Sequence, residues 1–69
     1  MITFNRQKES GNIFQILCEV RKVMQKERRI TEYDNMWEEV QKASSYEEAL
    51  KVIGQHVHLR DEATGKEYG

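Results

Sequence analysis

The 69 residues include no proline, a single cysteine and four glycines, and each scarcity closes off one way of building a small protein. A lone Cys18 cannot form a disulfide within its own chain, and structural zinc normally asks for four Cys or His ligands, so neither staple is expected. Uninterrupted apolar runs reach only two or three residues, against the roughly 20 that a membrane-spanning helix needs. The N-terminus has no apolar stretch of the signal-peptide kind, which points to a cytoplasmic protein without a membrane role. Gly11, Gly54, Gly65 and Gly69 form neither a G-x-G-x-x-G nor a G-x-x-x-x-G-K-[ST] phosphate loop, because their spacing fits neither pattern.

What remains is a short, charged and foldable chain. A single domain, 1–69, is the only sensible division at this length, and one core of that size supplies only about 3–5 kcal/mol. Further stability must therefore come from well-formed helix packing or from self-association, so a homo-oligomer is one expectation. Charged residues make up 33% of the sequence and hydrophobic ones 38%, with 11 basic side chains against 12 acidic ones, the balance of a folded but polar protein.

Periodicity predicts three helices. Ile13, Phe14, Ile16, Leu17, Val20, Val23 and Met24 recur at helical spacing, giving a helix over about 12–27 opened by Asn12 or Ser10, with Arg28 and Arg29 suited to the negative end of its dipole. Thr31 and Asp34 read as a second start, with Tyr33, Met36, Trp37 and Val40 as the apolar stripe of a helix over about 32–43. Ser45 and Glu48 form an S-x-x-E capping box ahead of Ala49, Leu50, Ile53 and Val57, opening a third helix over about 46–56. The expected fold class is all-α, a compact three-helix domain with Phe14, Leu17, Val20, Met24, Met36, Trp37, Val40, Leu50 and Ile53 as its core. Met1 to Phe4 reads as a short extended segment or a frayed end. The residues after Leu59, with a Thr64-Gly65 turn, read as a hairpin or as a disordered tail, a lone hairpin being marginal without a sheet to join.

Chemistry is sparse. His56 and His58 form an H-x-H pair that Cys18 could complete as a metal site, but no fourth ligand has a recognisable spacing, and Cys18 lies inside the first helix. As a nucleophile, Cys18 would need a histidine and an orienting group; as a neighbour of Leu17 at the edge of an apolar stripe, it reads better as a small packed side chain. Glu38-Glu39 and Glu47-Glu48 are adjacent on their helices, face different directions and make no acid/base pair. No catalytic residue, metal or cofactor is expected, and the chain reads as a binding protein.

The charges are unevenly placed. Residues 1–30 carry seven basic and three acidic side chains, net +4; residues 31–50 carry one basic and six acidic, net −5. The second and third helices are thus too acidic for a recognition helix meeting DNA. The acidic set Glu32, Asp34, Glu38, Glu39, Glu47 and Glu48 is the candidate protein-binding surface, suited to a basic protein, and Tyr33, Tyr46 or Trp37 would anchor it if left outside the core. The alternative is a small nucleic-acid-binding regulator using Arg21, Lys22, Lys26, Arg28 and Arg29 at the basic end of the first helix.

Gly11-Asn12-Ile13-Phe14-Gln15-Ile16-Leu17, then Glu32-Tyr33, then Ser45-Tyr46-Glu47-Glu48-Ala49-Leu50-Lys51-Val52-Ile53 carry a resemblance over roughly residues 10 to 59. In pattern and order they resemble short uncharacterised proteins encoded by phages, prophages and other mobile elements of Gram-positive bacteria. The resemblance implies a small accessory protein that acts by stoichiometric contact with a phage or host protein, including host defence complexes, in the cytoplasm of the host cell. It transfers no functional residue.

Overall fold

In a computed structural model describing residues 1–69, the chain runs through β1 (Ile2–Phe4), a 3-10 turn (Glu9–Gly11), α1 (Ile13–Lys26), α2 (Ile30–Gln41), α3 (Tyr46–Gly54), β2 (Leu59–Asp61) and β3 (Glu67–Tyr68). The architecture is α+β, which corrects the all-α expectation: the two uncertain ends come together as a three-stranded mixed sheet. β1 pairs parallel to β2, with Ile2 opposite Leu59 and Phe4 opposite Asp61, and β2 pairs antiparallel to β3, with Leu59 opposite Tyr68. The hairpin is held because β1 gives it a third strand and the helices cover one face. The inward row of that sheet holds Phe4, Leu59, Asp61 and Tyr68, all buried. Strands of two or three residues show no periodicity, and β1 meets its partner 57 residues away, so a local pattern could not reveal the pairing.

Each helix end has an identifiable cause. The Asn12 side chain accepts the Phe14 N–H at 2.9 Å and opens α1. α1 closes in a Schellman turn: the Arg29 N–H bonds the Met24 carbonyl at 2.6 Å, the Arg28 N–H bonds that of Gln25 at 3.2 Å, and Arg28 takes the left-handed φ of 59° usually given to glycine. Because that turn is so tight, α2 begins at Ile30 with Arg29 in the cap position, and the Thr31 side chain caps nothing. Ser45 caps α3 through the Glu48 N–H at 3.1 Å. The Glu48 carboxylate reaches one residue further back than the capping box requires, accepting from the Ser44 N–H and hydroxyl at 2.9 and 2.7 Å.

The core is Phe4, Ile16, Leu17, Val20, Met24, Met36, Leu50, Ile53, Leu59 and Tyr68. Three nominated core residues are not in it: Phe14 is 70% exposed, Trp37 is 41% exposed, and Val40 only packs against it. The cause is the wheel of α1: the stripe facing the core is Ile16, Leu17, Val20 and Met24, Phe4 lies beside Ile16 and Val23 on one flank, and Phe14 is left on the other, toward Trp37. Val40 is half-buried at the core's edge.

Candidate protein-docking surface

At the sheet end, charge is used to hold the fold. Asp61 points inward because it shares a strand face with Leu59, and it is fully buried. Arg6, two residues past β1, meets it: the Nε donates to Oδ2 and the backbone N–H donates to Oδ1 at 3.3 Å, while the Ala63 N–H reaches Oδ1 at 2.9 Å. The same guanidinium donates through Nη2 to Glu47 Oε1 at 3.2 Å and to the Tyr68 hydroxyl at 3.0 Å, and lies 5.7 Å from the Tyr46 ring centroid. Tyr68 in turn donates to Glu47. Burial pushes the Asp61 carboxyl up, but the bonds from the Arg6 side chain and the two amides outweigh it and hold it below its ordinary value. Glu47 is held down first by the Tyr68 hydroxyl and then by Arg6, and Tyr68 is pushed up to about 12 by burial and by Glu47. No buried side-chain nitrogen or oxygen is left without a partner.

A second polar knot ties α2 to the exit of α3. Arg29 grips Glu32 with two N–H groups at 3.1 and 2.8 Å, donates to the His56 carbonyl at 2.8 Å and pairs with Glu27 at 2.8 Å; the His56 Nδ1 lies 2.8 Å from Glu32. The Arg29 guanidinium, with His56 behind it, holds the Glu32 carboxyl down at about 2.

These knots divide the six acidic candidates. Glu32 and Glu47 are bound by arginines and Glu48 by Ser44, whereas Asp34, Glu38 and Glu39 stand exposed on α2. Helical spacing puts Asp34 one turn before Trp37, Glu38 on the outer side of α2 away from the core, and Glu39 on the far flank, where it shares a shallow groove with Lys42, Glu48 and Lys51. The six therefore do not come together as one face. Of the basic candidates, Arg29 belongs to the inner knot, Lys22 pairs with Glu19 at 3.4 Å, and Arg21, Lys26 and Arg28 are exposed without an ion pair. Cys18 is exposed, His58 pairs with Glu67 at 2.7 Å, and no three His, Cys, Asp or Glu side chains gather into a metal-binding group.

The open chemistry lies on the seam between α1 and α2. Phe14 and Trp37 flank a cleft of about 340 Å³ whose other walls include Ile13, Leu17, Val40, Ala43, Tyr46 and Ala49, eight apolar residues among ten. Tyr46 is turned to donate its hydroxyl to the Gly11 carbonyl, so its ring forms part of the floor. Toward the other end of α2, burial pushes the Tyr33 hydroxyl up, the charge of Arg21 on α1 opposes it, and Cys18 and Asp34 add to the rise. Ile30, the remaining exposed large apolar residue of the helices, is 37% exposed. A pair of uncovered aromatics over an apolar cleft, bordered by polar groups, is the composition of a protein-contact site. Sequence reasoning named Trp37 as an anchor if it fell outside the core but assigned Phe14 to the interior. The available signal was the wheel of α1, on which Phe14 lies about 100° from Ile13. No helix is long and apolar enough to cross a membrane. Comparison of the chain with protein-family models, with curated proteins and with solved structures gives no match.

Proposed function

We propose that this chain is a small accessory protein, of the kind carried by phages and other mobile elements of Gram-positive bacteria, that works in the host cytoplasm by stoichiometric binding of another protein and not by catalysis. The observation that carries the binding reading is the Phe14–Trp37 cleft: a 69-residue protein keeps two large aromatics in water although its own core has no use for them. Asp34, one turn before Trp37, adds an acidic group at the α2 border that suits basic groups on the partner, such as those of a surface evolved to hold nucleic acid. The mobile-element origin is supported by the order of sequence patterns between residues 10 and 59.

The test is affinity capture from a Gram-positive lysate with the wild-type chain and with Phe14→Glu, a change at a 70% exposed position. Wild type is expected to retain a protein in stoichiometric amount that the variant releases. Equal capture by both removes the cleft from the account. Retention of nucleic acid that weakens steeply with salt and disappears when Arg21, Lys26 and Arg28 are replaced moves the protein to the nucleic-acid class.

A further inference from the structure

Phe14 shares the cleft with Trp37, Arg21 stands two turns beyond Phe14 on α1 and Asp34 one turn before Trp37 on α2; the tight turn between the helices makes them antiparallel, so the seam has two levels. One level is aromatic and the other is charged. Across the seam the signs differ: the α1 edge carries Arg21 and the α2 edge carries Asp34, and neither has an ion pair within the fold.

A face with one basic edge and one acidic edge is complementary to itself. Rotation by 180° about an axis lying in the interface, parallel to the helices, exchanges left and right and keeps each level in place. α1 of one copy then lies over α2 of the other, which brings Phe14 onto the second copy's Trp37 and Arg21 onto its Asp34. Both contacts occur twice by symmetry. A uniformly basic partner matches only the α2 edge and meets Arg21 on the other. A standard interface would take about 800 Å² from each partner, roughly a sixth of this protein's 4713 Å² surface.

We infer that, when no other protein occupies it, the α1–α2 seam is filled by a second copy of this chain, forming a two-fold dimer centred on Phe14 and Trp37. The inference rests on the reading above that this seam is a contact surface, and it makes the second copy and the target protein compete for the same aromatics. Self-association also supplies stability to a chain with a small core.

Sedimentation and native mass spectrometry over micromolar to millimolar concentration test this. Wild type is expected to dimerise and Phe14→Glu to stay monomeric. Arg21→Glu and Asp34→Arg should each weaken the dimer by roughly tenfold, since each turns two symmetric attractions into repulsions. The double variant should recover wild-type association, because the pairs are re-formed with signs exchanged. A wild-type monomer at every concentration overturns the inference, as does a dimer indifferent to Phe14→Glu or a double swap that fails to restore association. Lysate capture separates the two readings. A monomer whose captured protein is lost on Phe14→Glu retains the docking function without the dimer; a charge-rescued dimer whose capture survives Phe14→Glu retains the dimer and removes the docking function.

Discussion

The two ends of the molecule treat their exposed chemistry in opposite ways. At the sheet end the charges that meet the core are tied to one another: Arg6 serves Asp61, Glu47 and Tyr68 together, and Gly11 and Gly54 are kept bare so that the chain can close around them. At the α1–α2 seam, Phe14 and Trp37 stay in water and Arg21 and Asp34 stay unpaired. The first arrangement is what a short chain needs to hold three tiny strands. The second contributes little to the monomer, so its contribution is to be sought between molecules. Substitutions at the sheet end are accordingly expected to change folding, and substitutions at the seam to change association while leaving folding nearly untouched.

The largest effect is expected from Arg6→Ala. It strands the buried Asp61 carboxylate, and the cost is about 2–3 kcal/mol after allowance for the 30% exposure of the Arg6 side chain, a large share of the stability of so small a domain. Chemical denaturation measures it. The loss must also depend on pH. Asp61 and Glu47 are held below their ordinary values of 3.8 and 4.5, so the stability they contribute is present above those values and lost as pH falls through the folded ones. Without Arg6, burial dominates at Asp61 and favours the protonated form, whose stabilisation grows at low pH. The gap between wild type and Arg6→Ala should therefore narrow on acidification from neutrality toward pH 3; a constant gap would show that the guanidinium acts only by packing.

Gly54→Ala comes next. A Cβ there would stand 2.7 Å from the Tyr68 Cβ and 3.2 Å from the Gly69 nitrogen, so β3 must move off α3. Overpacking of this kind costs about 1–3 kcal/mol. Because β3 carries Tyr68, the loss should appear as earlier hydrogen exchange in β2 and β3 than in α1. Uniform exchange would mean that sheet and helices unfold as one unit.

The same contrast explains what could be read before the structure. Helices announce themselves locally: the Ile13-to-Met24 stripe, the Asn12 cap and the Ser45 cap lie within a few residues of what they organise. The sheet depends on pairings between chain ends, Ile2 with Leu59 and Leu59 with Tyr68, and its signature is an acid, Asp61, in phase with an apolar neighbour on a strand of three residues. Phe14 reads as core when apolar spacing alone is counted, yet the wheel of α1 sets it on the flank of a stripe already filled by Ile16, Leu17, Val20 and Met24, and it stays exposed. The acidic helices were legible as charge, but which carboxylates stay free depends on Arg6 and Arg29, whose partners lie far along the chain or across a turn.

A smaller effect of opposite sign is expected at the α1–α2 link. Arg28 holds φ at 59° in the closing turn of α1, a conformation that costs a side chain of this kind about 1 kcal/mol and a glycine almost nothing. Arg28→Gly should raise the unfolding free energy by a little under that amount, since glycine also loosens the unfolded chain. A drop in stability would mean that the Arg28 side chain has a role its exposure does not reveal.

The smallest folding effect, and the sharpest test of the division, belongs to Phe14→Ser. The residue is 70% exposed and follows the cap residue by two positions, and its N–H bond to Asn12 is made by the backbone, so α1 keeps its start whatever the side chain. Stability measured at concentrations where the protein is monomeric should change by no more than about 0.5 kcal/mol. At high concentration the same comparison should open up, because the dimer inferred above would stabilise wild type by mass action and not the variant. A large loss at both concentrations would place Phe14 among the residues that hold the monomer together and remove the distinction between the two ends.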